Sequence, residues 1–563
     1  MTYDLLVRGG MVVDGSGLAR YPADVAVKDG KIAAIGRLNG SAAKEVVDAQ
    51  GQVVAPGFVD AHTHMDAQIF WDPIGSCSCY HGVTTVVFGN CGFTLAPCRE
   101  READLVFRNL ERAEDISRKA MLAGIKWQWE TYAEFLDVID KLPKGINYSG
   151  YIGHSALRTY VMGERAFQGG GTDDDVRAMK REVQNALRAG AIGFSTSRSW
   201  AHETSDDRPV ASRLADWREV QAIVGAMAEM HAGIFEIAPE TDRGPDYGVP
   251  LKDLAVASGR PVTMPIISGL KTPTDWQPQL DLMEAAAPEG GRMFAQVHTR
   301  DIGVLLSFET SLPFDSWPEW AEFRRQPLEQ QFAGLRDPAT RSRLEEIASR
   351  PYEGPKTYGP AGRPPDFDWM FMIDSMARPK PSIAELARLR GVRPITVMID
   401  EALKRGLKLF FRQTAVNGNE EELLKMMRHP RSVVTLSDAG AHVSQIMDNS
   451  LQTHLLSYWC REREAFTLEQ AVRKITYEPA SHWGFADRGL LREGFAADLV
   501  VFDPDSVAPK MPELRHDLPT GERRLFQGAE GIAATIVNGE VLLRDGVPTG
   551  RLPGRLLRAR VPG

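Results

Sequence analysis

The sequence predicts an α/β fold, a (β/α)8 barrel that carries a small β domain built from both chain termini. Two patterns in the 563 residues support this prediction. The middle of the chain alternates short apolar segments with amphipathic helical segments, which is typical of parallel βαβ units. Both ends instead carry short apolar alternations separated by turn residues, and chain ends commonly lie close together in space.

The two ends of the chain share one pattern. Residues 1–56 predict short strands joined by turns at Asp14-Gly15 and Asp29-Gly30, and residues 485–563 repeat this pattern around Asn538-Gly539 and Asp545-Gly546. Asp-Gly and Asn-Gly between apolar alternations are the strongest short-range hairpin signals. We therefore assign 1–56 and 485–563 to one β domain and 57–484 to the barrel.

The barrel region contains enough candidate strands to close a (β/α)8 barrel. Amphipathic stretches at 173–189 and 212–231 are typical of the intervening helices. A Pro- and Trp-rich segment at about 300–400 fits the alternation poorly, and we interpret it as a partly helical insertion after the seventh strand. The candidate strands are 57–62, 84–89, 147–153, 191–196, 233–238, 261–267, 293–298 and 432–437.

Composition excludes several classes of protein. The net charge of −9 is small for this length and lacks the basic surplus of a nucleic-acid binder. No run of 18 apolar residues predicts a membrane span, and the first residues do not resemble a secretory signal. Five cysteines, few for this length and odd in number, indicate a reducing compartment, so we expect a cytoplasmic protein. The sequence leaves open whether it forms a homo-oligomer.

The sharpest chemical feature is the pair His62 and His64, which ends the first candidate barrel strand. Residues two apart on a strand point to the same side, so both imidazoles can face one point. That point lies at the carboxyl end of a strand, where barrel enzymes place their chemistry. Imidazole is the commonest metal ligand, so the pair predicts a metal site. Two surface histidines near a turn are the alternative.

A second feature is Asp438, which follows the last candidate strand. A carboxylate there can ligate a metal and accept a proton from water. A helix N-cap is the alternative role for an aspartate after a strand. The pairing with His62 and His64 at the first strand favours the catalytic role.

Several motifs together carry a family resemblance over most of the chain. They are LLVRGGMVVDGSG at the start, APGFVDAHTH, TTVVFGNCGFTLAP, GYIGHSALR, GAIGFSTS, SDAGAH and GLLREGFAADLVVFDP. The chain resembles the amidohydrolase superfamily in its D-aminoacylase-like branch, the N-acyl-D-amino-acid deacylases. The resemblance implies a metal-binding (β/α)8 TIM barrel with a β-sandwich from both termini.

The resemblance also implies a ligand set. His62 and His64 match the family's metal-binding pair, Asp438 matches its metal-binding general base and acid, and Cys91 matches the cysteine ligand of a GNCG motif. Thiolate and imidazole ligands suit zinc. A small buried hydrophobe is the alternative for Cys91.

The match then breaks at two positions. The branch has a histidine after the fifth strand and another after the sixth, but this chain has neither, nor a lysine in 190–199 that could bridge two metals. Glu236 and His298 are candidate replacements because each lies near a strand end. Four ligands suffice for one metal, so we expect one Zn²⁺ per chain.

Other residues are candidates for binding substrate. His154 matches a family motif at the end of the third strand, and Lys271 ends the segment that stands where the branch has an SHHK-like motif. Arg198 and Arg300 follow the fourth and seventh strands, and either could bind a substrate carboxylate through two hydrogen bonds. Surface salt bridges are the alternative role for both arginines.

The predicted function is metal-dependent hydrolysis of an amide-type bond other than a peptide bond, with Asp438 as general base and acid. The resemblance implies a small-molecule substrate, either an N-acyl-D-amino acid or a related N-acyl compound. Because two family histidines are absent, a cyclic imide, carbamate or N-formyl amide stays open. A metal-dependent decarboxylase and a non-catalytic scaffold stay open as well.

Overall fold

The computed structural model describes residues 2–240, 248–352, 363–376, 380–443 and 448–561. Strands β1 to β24 are Tyr3–Val12, Tyr21–Lys28, Lys31–Gly36, Ala43–Asp48, Val53–Pro56, Phe58–Asp60, Val83–Phe88, Asn147–Gly153, Gly193–Ser197, Ile234–Ala238, Val262–Pro265, Met293–Val297, Ile302–Leu306, Met370–Ile373, Phe410–Val416, Ser432–Val434, Leu499–Phe502, Ala508–Pro509, Glu513–Arg515, Arg524–Phe526, Ala529–Glu530, Ile532–Val537, Glu540–Arg544 and Val547–Pro548. Helices α1 to α17 are Ala103–Ala113, Arg118–Gly124, Tyr132–Lys141, His154–Met162, Asp173–Ala189, Trp217–Glu229, Gly248–Ser258, Gln277–Ala286, Pro318–Arg324, Leu328–Arg336, Pro338–Ala348, Ile383–Arg390, Pro394–Lys404, Glu420–Arg428, Leu451–His454, Leu468–Ile475 and Tyr477–His482.

The barrel consists of eight parallel strands within the described residues. They pair in the order β16-β12-β11-β10-β9-β8-β7-β6, and each of the eight predicted segments overlaps one of them. Their residues are nearly all buried on both faces, as expected for a parallel sheet covered by helices. The predicted fold class is confirmed.

The first and last barrel strands meet without a continuous ladder of hydrogen bonds. A single parallel bridge joins Thr63 to Ala439, and the amide of His64 donates to the carbonyl of Ala439 at 2.7 Å. The amide of Ala61 donates to the hydroxyl of Thr435, also at 2.7 Å. The closing seam of the barrel therefore runs beside the segment that carries His62 and His64.

The two termini share one nine-stranded sheet, in the order β24-β23-β22-β17-β5-β1-β2-β3, with β4 paired to β1. Strand β17 pairs antiparallel with β5, from Leu499 opposite Pro56 to Phe502 opposite Val53. This pairing ties the C-terminal segment to the N-terminal one, as the turn patterns predict. The domain boundaries at residues 56 and 484 stay predictions.

The segment between β12 and β16 forms a separate layer. Strands β13 and β14 both pair antiparallel with β15, which ends at Val416. Helices α9 to α13 pack on this sheet around a core of their own that contains the fully buried Trp320. The sequence places this insertion at about 300–400, whereas the observed sheet continues beyond that range.

Helix ends follow local sequence signals. Thr172 and Asp175 form a capping box at the start of α5, and Gly190 ends that helix with φ 111°. The helix bounds match the predicted stretch 173–189. None of the helices in the described part of the chain combines the length and apolar character that crossing a bilayer requires.

Candidate metal centre

His62 and His64 follow β6 and point into the carboxyl end of the barrel. Both side chains are almost completely buried, at 1% and 2% exposure. Their imidazole rings lie 5.4 Å apart, centroid to centroid. The two rings therefore lie side by side, as the alternation of side chains along a strand predicts.

Asp438 lies in a loop with unusual backbone geometry. Leu436, Asp438 and His442 all have positive φ angles, of 85°, 51° and 48°. Gly440 also has a positive φ, and a Cβ at this position would lie 2.5 Å from the carbonyl oxygen of His64. Non-glycine residues in this conformation cost free energy and cluster at functional sites. The loop therefore packs closely on the backbone of His64, which brings Asp438 next to the two histidines.

The metal-binding atoms converge on one point. Oδ1 of Asp438 lies 3.2 Å from Nε2 of His62 and 3.5 Å from Nε2 of His64. Sγ of Cys91 lies 3.5 Å from the same Nε2 of His62. The candidate ligand atoms of His62, His64 and Cys91 all fall within 4.8 Å of one another. Two nitrogens, a sulfur and a carboxylate oxygen make a donor set that zinc accepts.

Two side chains on other barrel strands support these donors. The amide oxygen of Gln296 on β12 accepts a hydrogen bond from Nδ1 of His62. Oε2 of Glu236 on β10 accepts a hydrogen bond from the backbone amide of Cys91 at 2.8 Å. Cys91 itself has a positive φ of 55°, in the turn that follows β7. The Glu236 contact thus holds the Cys91 turn against the barrel.

The electrostatics of the site are dominated by burial. Burial alone would raise the pKa of Asp438, but the hydrogen bonds and charges of His62 and His64 hold it well below its usual value. Burial raises the pKa of Glu236 to about 7. Burial and the nearby carboxylates raise the pKa of the Cys91 thiol well above its usual range. A bound cation reverses this effect, because a coordinating thiol is deprotonated.

Unpaired buried atoms show that the site suits a metal ion. Oε1 of Glu236 and Oε1 of Glu114 are buried and have no hydrogen-bond partner among the described residues. Leaving such groups unpaired is costly, at about 1–3 kcal/mol each and more when charged. A cation beside them offsets that cost, and His62, His64, Cys91 and Asp438 are placed to hold it.

Glu114 extends the cluster beyond His64. It follows α1, and its Oε2 lies 3.6 Å from Nε2 of His64 and 3.7 Å from Nε2 of His442. The backbone amide of His442 donates to the carbonyl oxygen of Glu114 at 2.5 Å. No pattern in the charged segment around Glu114 marks it in the sequence, because only the fold brings α1 to the Asp438 loop.

A cavity of ≈ 170 Å³ opens in front of the centre. His62, Cys91, Asp438 and His442 line its inner end, together with His202. Most of the wall is apolar, and Arg363 is the one arginine or lysine among the described residues that line it. The insertion forms part of this wall through β13 and β15. The apolar lining comprises Ala113, Ala238, Pro239, Pro265, Ile267, Ile302, Gly303, Val304, Ala415, Val416 and Leu436.

Comparison with known proteins agrees with this geometry. A model of the amidohydrolase family matches residues 45–543, which is most of the chain. The chain belongs to the amidohydrolase family. The resemblance seen in its motifs is thus confirmed.

Curated amidohydrolase relatives match over nearly their whole length. N-acyl-D-glutamate deacylase from Alcaligenes xylosoxydans xylosoxydans is 29% identical over 99% of this chain and 96% of its own. D-aminoacylase from the same organism is 28% identical over 99% of this chain and 97% of its own. This amidohydrolase is therefore a hydrolase of carbon–nitrogen bonds other than peptide bonds, as predicted.

A solved structure supports the same assignment. N-acyl-D-glutamate deacylase from Bordetella bronchiseptica, complexed with zinc and a phosphonate inhibitor that mimics the tetrahedral intermediate, is 25% identical. The TM-score is 0.67, with 99% of this chain and 100% of that chain covered. The amidohydrolase architecture thus extends across barrel, terminal sheet and insertion alike.

The remaining predicted site residues lie away from the cavity that the proposed metal donors line. None of His298, His154, Arg198, Lys271 and Arg300 lies among the described residues that line the cavity of this amidohydrolase. Nδ1 of His298 instead accepts a hydrogen bond from the amide of Arg300 at 3.0 Å. Lys271 is exposed at the surface.

The other three predicted substrate residues are held by protein groups. His154 is buried between Thr196 and Glu219, with both ring nitrogens at 2.8 Å from an oxygen. The Arg198 guanidinium donates to the carbonyl of Ala215. Arg300 donates to the Ser450 hydroxyl at 3.0 Å. It lines a different cavity, whose wall also includes Arg412 and Thr414 of the insertion sheet.

Sequence reasoning missed Gln296, Glu114, His202 and Arg363. Gln296 had a detectable signal, because it lies two residues before His298 on the same strand and so on the same side of it. Glu114, His202 and Arg363 had no such signal in the sequence, because all three lie in segments outside the barrel strands.

Proposed function

We propose that the protein is a zinc-dependent deacylase that hydrolyses the amide bond of an N-acyl-D-amino acid or a related N-acyl compound. The observation that carries the proposal is the convergence of His62, His64, Cys91 and Asp438 at the inner end of an apolar cavity. The relatives that match over their full length include a D-aminoacylase and an N-acyl-D-glutamate deacylase. Their shared activity is the removal of an acyl group from an amino acid.

The proposed centre holds one Zn²⁺ tightly per chain through His62, His64, Cys91 and Asp438. When bound, the ion supplies a Lewis acid that polarises the scissile carbonyl and acidifies water. Gln296 fixes the ring of His62, so that its Nε2 faces the other donors. All five cysteines are unpaired thiols, in keeping with our proposal of a cytoplasmic protein.

Asp438 moves the proton in the proposed reaction. Its carboxylate accepts one proton from the attacking water as the water oxygen bonds to the carbonyl carbon. It then delivers that proton to the leaving nitrogen as the carbon–nitrogen bond breaks, which yields a carboxylic acid and an amine.

The cavity fits a substrate with one anionic group and an apolar body. Arg363 can bind the α-carboxylate of an N-acyl amino acid, because guanidinium and carboxylate pair through two hydrogen bonds. The aliphatic wall then faces the acyl group or side chain. Such a mostly apolar pocket with few polar groups is typical of small-molecule sites.

A substrate screen tests the proposal. Zinc-loaded protein is incubated with N-acetyl derivatives of D- and L-amino acids, and amine release is measured. We expect release from D-substrates, with slower or no release from their L-enantiomers. Hydantoins, N-carbamoyl and N-formyl amino acids are included in the same screen. If carbon dioxide appears without any amine product, a decarboxylase replaces the proposed deacylase. If zinc does not bind at all, the proposed centre is wrong.

A further inference from the structure

We propose that the cavity that Arg300 lines, which we call the second cavity, binds a small organic anion: a carboxylate with a planar apolar body. The second cavity has a volume of ≈ 170 Å³. None of the four proposed zinc ligands is among the described residues that line it. The inference therefore concerns a site other than the metal centre, and it does not depend on the proposed deacylase function.

Three elements enclose the second cavity. The turn between β12 and β13 contributes residues 299–301, the insertion sheet contributes Arg412 and Thr414, and the helical segment after α15 forms the third wall. Thr414 and its chain neighbour Ala415 point to opposite faces of β15, because side chains alternate along a strand. Thr414 lines the second cavity and Ala415 lines the substrate cavity. Strand β15 is thus a wall of both cavities.

The helical segment that follows α15 has a rare conformation. Residues Leu455–Glu462 form a π-helix. Such turns are uncommon in proteins and occur frequently at functional sites. Tyr458 and Trp459, which are adjacent in this π-helix, both line the second cavity. The rare conformation therefore coincides with the wall of this cavity, which supports a binding role for it.

Aromatic rings on two walls favour a planar apolar ligand. Trp369 and Phe371 lie on the side of the insertion sheet, opposite the two aromatic residues of the π-helix. Gly418 leaves room for the Trp369 ring, since a Cβ at this glycine would lie 2.4 Å from Cζ3 of Trp369. Aromatic rings pack favourably against another ring, either offset-stacked or edge to face. The second cavity therefore suits a flat apolar group.

The charged side chains of the wall favour an anion. Three of them are cations and two are carboxylates, so the wall carries one positive charge in excess. They are Arg300, Lys380, Arg412, Asp301 and Glu420. The guanidinium of Arg412 lies 3.1 Å from Oδ2 of Asp301, which also accepts a hydrogen bond from Thr414 at 2.7 Å. Arg300 is only 4% exposed and donates to the Ser450 hydroxyl at 3.0 Å. Guanidinium groups bind carboxylates through two parallel hydrogen bonds.

Asn417 adds a hydrogen-bond donor to the same wall. Its Oδ1 accepts from the backbone amide of Ser268 at 2.8 Å, which fixes the orientation of the side-chain amide. Its Nδ2 is buried and has no hydrogen-bond partner among the described residues. A buried unpaired donor costs about 1–3 kcal/mol. An acceptor oxygen on a bound ligand would offset that cost.

Calorimetry on the zinc-loaded full-length protein tests the inference, with phenylacetate as the probe and phenylacetamide as its neutral analogue. We expect phenylacetate to bind saturably and phenylacetamide to bind at least ~10-fold more weakly, because it lacks the charge. Arg300→Gln should weaken phenylacetate binding by at least ~10-fold, and Trp369→Leu should weaken it by about 2–10-fold. The matched control is Arg363→Met in the substrate cavity, which should retain this binding.

The outcomes locate the bound probe. If phenylacetate does not bind saturably to the wild type, the inference is wrong. If Arg363→Met abolishes the binding while Arg300→Gln and Trp369→Leu retain it, the probe occupies the substrate cavity and the inference is again wrong. Equal binding of phenylacetamide would contradict the role of the cations. Circular dichroism verifies the folding of each variant, and Trp369→Leu carries the test if Arg300→Gln does not fold.

Discussion

The side-chain oxygen of Gln296 accepts a hydrogen bond from Nδ1 of His62, across the barrel from β12 to the end of β6. The amide nitrogen of Gln296 donates to Thr263 Oγ1 at 3.2 Å, which fixes the orientation of the amide. Nδ1 of His62 therefore carries a proton, and Nε2 faces Asp438 and Cys91, where it can give up its own proton when a metal ion binds. A metal-binding histidine is commonly oriented by a second group in this way.

Replacing Gln296 by leucine should weaken zinc binding by about 10–100-fold, because His62 then loses the acceptor that sets its ring orientation. Leucine has a similar size, so the barrel core should be retained. Zinc affinity is measured by competition with a chromophoric chelator. An unchanged zinc affinity in folded Gln296→Leu would show that the hydrogen bond does not position His62.

Replacing Asp438 by asparagine should abolish most turnover. The amide oxygen can still face the metal, but it cannot accept and return a proton, so kcat should fall by about 10²–10⁴-fold. Zinc content by mass spectrometry should stay near the wild-type level. Asp281→Asn, at an exposed position on α8, is the control and should keep full activity. Full activity in Asp438→Asn would refute its role as general base.

Replacing Arg363 by methionine should raise KM for N-acyl amino acids by about 10–100-fold, the value of a charged hydrogen-bonded contact. An N-acyl amine without a carboxylate should be unaffected. Lys271→Met is the comparison variant, because the motif comparison favours Lys271 for substrate binding whereas Arg363 lines the cavity. We expect Lys271→Met to leave KM unchanged. If Lys271→Met raises KM and Arg363→Met does not, the carboxylate binds elsewhere.

The buried Glu219 should make the protein sensitive to acid. Burial alone would raise its pKa, but His154 and Arg158 outweigh that effect and hold it at about 2. The carboxyl is thus easier to protonate in the unfolded chain, so its stabilisation is present above the unfolded pKa of 4.5. It is lost as the pH falls through 2.

Glu219→Gln tests this ion pair. The variant leaves Arg158 buried without its charge partner, so its free energy of unfolding at pH 7 should fall by about 3–5 kcal/mol. The difference from wild type should shrink as the pH falls below about 4.5. Glu229→Gln, on the same helix with its side chain 59% exposed, should change stability by about 0–1 kcal/mol. Urea denaturation at several pH values measures both, and an equal effect of the two substitutions would contradict the prediction.

The barrel strands and the His62–His64 pair were predictable because they obey local rules. Apolar segments of strand length predict all eight barrel strands, and the two-residue alternation of a strand places His62 and His64 on one side. The hairpin dipeptides likewise predict the strands of both termini. These features depend on neighbours in the chain, so periodicity alone reveals them.

The substrate cavity and the supporting residues depended on tertiary structure. Glu114 meets His442 only because α1 and the loop after β16 pack together, although more than 300 positions separate them in the chain. Arg300 follows a barrel strand, as an active-site arginine would, yet the insertion sheet leaves it in a different cavity. Contacts between distant segments follow from packing, which no local pattern encodes. The sequence by itself therefore determined the barrel, the terminal β domain and the proposed metal donors, while only the folded chain decided which charged side chains line the cavity.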